Sequence, residues 1–98
     1  MKPEYVLIIH EVEDYDVWKK IFDDATSIRK IAGELSYQVL KSDNDANKIV
    51  HFSKWTSHIN AKAFFESDKL VEIRKQAGVK APEFIYIGTT GRRCVVTV

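Results

Sequence analysis

Three histidines and one cysteine are the side chains of this sequence best suited to proton transfer, nucleophilic attack or soft-metal ligation near neutral pH: His10, His51, His58 and Cys94. A zinc-type centre would need the three imidazoles to converge. His10 and His51 belong to different strand-like segments, expected to be offset along a sheet. His58 opens a helical segment, where a solvent-facing side chain is the simpler reading. No H-x-H pair or other ligand triad accompanies them, so no metal is expected. Cys94 lies in a terminal stretch, RRCVVTV, outside the core pattern and reads as an incidental thiol. Asp43, Asp45 and Asn47 fall at the first, third and fifth positions of a calcium loop, but the required Gly and Glu are replaced by Lys48 and Lys54. That segment is a hairpin turn. No glycine-rich phosphate loop occurs.

The chain that must position these groups has 98 residues, enough for a single domain with one core. Fifteen basic and 14 acidic side chains leave a net charge of +1, which offers no electrostatic reason to bind nucleic acid or an anionic membrane. The longest apolar run, residues 5 to 9, is far too short to span a bilayer and lacks a signal-peptide layout. A single cysteine excludes an internal disulfide and fits a reducing compartment, so a cytoplasmic location is expected.

Residues 5 to 12, YVLIIHEV, have the β-branched and aromatic content of a strand. Asp14 then fits an N-cap, and Trp18, Ile21, Phe22, Ala25, Ile28 and Ala32 form one apolar stripe on a long helix ended by Gly33. Residues 35 to 41 alternate as a second strand. SDNDAN, residues 42 to 47, is rich in Asx-turn formers, and residues 48 to 55 make the third strand. Thr56 or Ser57 can cap a second helix carrying Ile59, Ala63 and Phe64 inward. Ser67-Asp68 predicts a break and restart before Leu70, Val71 and Ile73. Gly78 and Pro82 end that helix, and residues 84 to 88 form the fourth strand. The order β-α-β-β-α-β predicts an α+β, ferredoxin-like fold: a four-stranded antiparallel sheet with both helices on one face. Strands one and three are expected to be central and mutually parallel. The domain is expected to occupy residues 1–91, with residues 92–98 as a C-terminal tail.

Both faces of these strands are apolar. Val6 and Ile8 oppose Tyr5, Leu7 and Ile9; Val50 and Phe52 oppose Ile49 and His51; Ile85 and Ile87 oppose Phe84 and Tyr86. Two helices cover one face, and the other would leave a patch beyond the ~300–600 Å² usual for a monomer. An isologous homodimer packed sheet to sheet resolves this. An RNA-recognition module shares the topology, but KIVHFSKW lacks the glycines and aromatics of its third-strand motif. No nucleic-acid or membrane partner is therefore expected.

The pattern H-x-V-E-D-Y-x-x-W-x-x-x-F in HEVEDYDVWKKIFDD, the hairpin into IVHFSKW, and a helix ending in AGV before a short last strand resemble the dimeric α/β-barrel superfamily. Within it the chain is similar to the small bacterial proteins grouped with antibiotic-biosynthesis monooxygenases, over roughly residues 4 to 88. The resemblance implies two sheets forming a shared barrel and a small-molecule pocket between each sheet and its helices. Relatives include cofactor-free oxygenases of aromatic polyketides, haem-degrading enzymes and lactone isomerases, so the fold does not select a reaction. The haem-degrading branch uses a tryptophan and, ten residues on, an iron-ligating histidine; aligned on Ser67-Asp68, those positions hold Phe64 and Arg74. An arginine cannot ligate haem iron, so haem degradation by that route is not expected.

For the oxygenase branch the resemblance implies aromatic walls, no cofactor, and a polar group that favours substrate deprotonation. His10 is the candidate catalytic base. Trp18, Phe22, Trp55 and Phe64 would supply apolar wall, with Tyr37, His51 or Tyr86 as a further polar contact. The expected ligand is a small apolar or aromatic molecule. Two other readings stay open: a module that binds a hydrophobic ligand without chemistry, and a dimeric scaffold. His10 also reads as a buried histidine tying strand to helix, and both tryptophans as core.

Overall fold

The computed structural model of the chain describes residues 4–88. The expected tail, Cys94 included, lies outside them. The elements run β1 (Glu4–Val12), α1 (Tyr15–Asp24), α2 (Thr26–Ala32), β2 (Glu34–Lys41), β3 (Lys48–Trp55), α3 (His58–Phe65), α4 (Asp68–Gln76) and β4 (Val79–Gly88). The sheet order is β2-β3-β1-β4, and every neighbouring pair is antiparallel. This is the expected ferredoxin-like α+β arrangement, with one correction. β1 and β3 are central but antiparallel, because each helical crossover joins parallel strands that have a third strand between them. The consequence is local: Ile8 pairs with His51 and His10 with Ile49, so the two histidines are diagonal neighbours on one face rather than offset.

That face is the one the helices cover. Val6, Ile8, His10 and Val12 of β1 alternate inward with Ile49, His51, Ser53 and Trp55 of β3. Two core clusters form on it. Val6, Ile8 and Trp55 pack with Ala61 and Phe65 of α3; Val12 and Ile49 pack with Trp18 and Phe22 of α1 and with Ala77. The opposite face carries Tyr5 stacked on Phe52 (5.5 Å between ring centroids), with Leu7, Ile9, Val50, Ile85 and Ile87 in register around them and none of the described helices over them.

The first helical stretch is two helices, not the single one its stripe predicts. Ala25 ends α1 and begins α2. The cause is a side chain in the ladder. Arg29 Nη1 donates to the carbonyl of Phe22 (2.6 Å), and the Thr26 hydroxyl donates to that of Asp23 (2.7 Å). Gly33 then stops α2 at φ 127°, where a side chain would collide with the Thr56 hydroxyl. Asp14, Ser57 and Ser67 each cap a helix by accepting from a backbone N–H in its first turn. On α3 the inward residues are Ala61 and Phe65, whereas Ile59 is 80% exposed and Ala63 faces out. Val71 of α4 is also exposed, and Leu70 is the buried residue. The hairpin 42–47 is an Asx turn, with Asp45 Oδ1 accepting from Asn47 N (3.0 Å). No helix among the described residues is long and apolar enough to cross a membrane.

Candidate functional site

Where the two core clusters fail to fuse, a cavity of about 70 Å³ remains between the sheet and the helices. Ile8, His10, His51 and Phe84 form its sheet side. Trp18, Phe22, Phe64, Phe65, Leu70 and Ile73 form most of its helical side, and two cations, Arg29 and Arg74, reach it from α2 and α4. Its walls are otherwise apolar. Its volume is well below the ~300 Å³ at which ligand pockets ordinarily begin, so it fits a compact molecule, and a larger one requires wall side chains to move.

His10 is placed by an irregularity. The β1–β4 register shifts between Ile9 and Glu11, and β4 opposite carries Ala81 at φ 42° followed by Pro82. A bulge on an edge strand is where proline is tolerated, and bulges re-aim the side chain they bracket. The His10 ring lies against Trp18 (centroids 5.4 Å apart), and its Nε2 is buried without a hydrogen-bond partner among the described residues. Burial, reinforced by the nearby His51 imidazole and Arg74 guanidinium, lowers its pKa from 6.5 to about 4. At neutral pH the ring is uncharged.

His51 belongs to a closed network. Its Nε2–H donates to Glu34 Oε2 (3.0 Å), and Glu34 Oε1 accepts from Arg29 Nε (2.9 Å). The two Glu34 oxygens thus face a guanidinium on one side and an imidazole nitrogen on the other. Arg29 Nη1 adds the bond to the Phe22 carbonyl, and the guanidinium stacks 3.7 Å from the centroid of the Phe22 ring. Arg29 and Glu34 are each 4% exposed at the side chain. Arg74 is held differently. Its Nη1 donates to the Phe65 carbonyl (2.9 Å), it lies 5.2 Å from the Phe84 centroid, and burial pushes its pKa down. Among the described residues it has no carboxylate partner.

Of the residues expected at a site, His10, Trp18, Phe22, His51 and Phe64 line this cavity. Tyr37, Trp55 and Tyr86 do not. Tyr37 stands behind it, edge-on to Phe22 and His51 (5.3 and 5.8 Å). Trp55 is fully buried in core, its indole N–H donating to Ser53 Oγ (2.7 Å). Tyr86 packs on His58 instead (5.7 Å). His58 itself corrects the solvent-facing expectation: it lies 2.9 Å from Glu4 through Nδ1, with Nε2 3.1 Å from the carbonyls of Tyr5 and Ile87, so it fastens α3 to the strand ends. Arg29, Glu34 and Arg74 were not anticipated at the site. The signal was spacing, since Trp18, Phe22, Ala25 and Arg29 share one helical face, as do Leu70, Arg74 and Ala77. No group of three His, Cys, Asp or Glu side chains suited to a metal ion converges among the described residues.

Known structures share this fold. The cofactor-independent oxygenase SnoaB from Streptomyces nogalater superposes with a TM-score of 0.76 at 12% identity, covering 97% of this chain and 98% of its own. A candidate antibiotic biosynthesis monooxygenase from Bordetella bronchiseptica gives 0.77 at 13% identity, with 92% and 99% covered. Another, from Caulobacter crescentus, gives 0.71 at 18% identity, with 92% of each chain covered. At these identities the likeness establishes the fold alone. No curated protein sequence matches the chain significantly. The family model for antibiotic biosynthesis monooxygenases matches residues 13–76, from just after His10 to the end of α4. With that match over most of its length and the same fold throughout, the chain belongs to the antibiotic biosynthesis monooxygenase family.

Proposed function

We propose that the chain binds a compact, largely apolar ring-bearing molecule in this cavity and oxygenates it without a cofactor. The observation that carries the reading is His10: a neutral imidazole with an unpartnered buried Nε2, on the wall of an aromatic cavity. Such a group accepts a proton or hydrogen bond from an acidic C–H or O–H of the ligand. Proton loss from a methylene beside a ring carbonyl leaves a carbanion able to reduce O₂. One oxygen atom then enters the product as a ketone, and the other leaves as water with the two methylene hydrogens. The substrate supplies all four electrons, so the balance needs no external reductant. Trp18, Phe22, Phe64 and Phe65 exclude bulk water from the carbanion.

One observation favours a second reading, binding without chemistry: an imidazole with a pKa of about 4 is a weak base. Oxygen uptake with a panel of one- and two-ring phenols and cyclic ketones separates the two. Turnover that falls at least tenfold in His10→Gln, with substrate binding retained, supports the oxygenase. Tight binding with no uptake assigns the chain to the second reading. The apolar sheet face around Tyr5 and Phe52 supports a homodimer, and sedimentation at micromolar concentration checks it: a monomer overturns that assembly.

A further inference from the structure

Two guanidinium groups reach one small apolar cavity, and they differ in a way that bears on what the cavity holds. Arg29 is paired with Glu34 and makes three hydrogen bonds, one from each of its guanidinium nitrogens. Arg74 makes one hydrogen bond, to a backbone carbonyl, and has no carboxylate partner among the described residues. A guanidinium carries five N–H donors in a planar fork matched to carboxylate geometry. Four of the Arg74 donors therefore have no protein acceptor among those residues; they are not sealed from solvent, and they are free for a ligand acceptor in a cavity whose walls offer none except the rings of His10 and His51. A partly desolvated cation without a counter-charge is costly, and a ligand anion removes that cost.

We propose that Arg74 makes this cavity a site for an anion: a compact ring-bearing ligand whose ionised oxygen, a carboxylate, phenolate or enolate, pairs with the guanidinium while its ring lies against Trp18, Phe22 and Phe84. The proposal rests on the small-molecule reading of the cavity and sharpens it to an acid. It also couples the two polar groups of the wall. Arg74 is one of the charges that hold His10 neutral, so an anion on Arg74 offsets that field and makes His10 more basic on binding. Arg74 would thus select the substrate and set the proton affinity of its neighbour.

The test compares benzoate with its neutral isostere benzamide on the full-length protein, by calorimetry and by the His10 ring resonances in NMR. 4-Nitrophenolate is added to distinguish an aryl oxide from a carboxylate. The wild type should prefer benzoate or 4-nitrophenolate to benzamide by at least tenfold, and the binding anion should raise the His10 pKa. Arg74→Met should reduce the preference to under twofold and abolish the His10 shift. Arg74→Lys, which keeps the charge without the fork, should retain a reduced preference and serves should the methionine variant fail to fold. Equal binding of benzoate, 4-nitrophenolate and benzamide overturns the anion site while leaving a small-molecule pocket standing. Failure of all three probes to bind at millimolar concentration overturns both.

Discussion

Arg29 and Arg74 line one cavity from α2 and α4, and each sends Nη1 to the carbonyl of a phenylalanine in the preceding helix, Phe22 or Phe65. There the likeness stops. Arg29 meets Glu34, which meets His51, and three ionisable groups close on one another with their side chains almost wholly buried. Arg74 meets no carboxylate among the described residues, and the titratable neighbour it shares the cavity with, His10, has an orphaned Nε2. One end of the cavity is finished by the protein alone, and the other is left for something else to complete. The difference separates stability from function: disturbing the closed end should unfold the chain, and disturbing the open end should change what it binds.

The closed end gives the largest expected effect. Glu34→Gln leaves Arg29 buried with a neutral partner and keeps one acceptor oxygen where Arg29 Nε and His51 Nε2 each face one now. Breaking a buried pair on one side typically costs about 3–5 kcal/mol, and that loss should appear in urea denaturation. Replacing Arg29 and Glu34 together with Met and Leu should recover much of it, because no uncompensated charge is then left inside. A double variant as unstable as Glu34→Gln alone would mean that the network holds α1 and α2 in their broken geometry, beyond neutralising itself.

The second effect belongs to the open end and depends on pH. His10 has a folded pKa of about 4 against 6.5 when unfolded, so between those values the unfolded chain binds the extra proton. Stability must therefore fall as pH drops from 6.5 to 4 and is unaffected by this group above that window. The full difference corresponds to roughly 3 kcal/mol, developed progressively across the interval. Other groups titrate there too, so the informative quantity is wild type minus His10→Gln. A flat difference curve would show that His10 charges freely in the native state, and the neutral-imidazole reading would fail.

Much of the architecture was legible because strands write their faces with a period of two. The alternation through Val6, Ile8 and His10, and through Ile49, His51 and Ser53, reads correctly from residue types alone. The α3 face did not, since HINAKAFF is apolar nearly all round and its spacing cannot choose Ala61 and Phe65 over Ile59 and Ala63. The break at Ala25 was hidden for another reason: the spacing puts Arg29 on the inward helical face, but it does not show that Glu34, beyond Gly33, meets it there. A buried ion pair joins two elements, and no periodicity within either reveals it. The same holds for His10 and His51, whose proximity follows from strand direction and not from either strand's own pattern.

The smallest stability effect is expected at Arg74, and it sharpens the comparison most. Arg74→Met removes one hydrogen bond to the Phe65 carbonyl, worth about 1 kcal/mol, and at the same time relieves a partly desolvated cation. The two contributions oppose each other, so the net change in unfolding free energy should stay within about 1 kcal/mol. Methionine also replaces the aliphatic stem of arginine closely enough to keep contact with Phe84. If the variant instead lost as much stability as Glu34→Gln, Arg74 would be a second structural keystone. The two ends of the cavity would then be built alike. A near-neutral outcome leaves the cation without a structural reason to be there, and its purpose must lie in what enters the cavity.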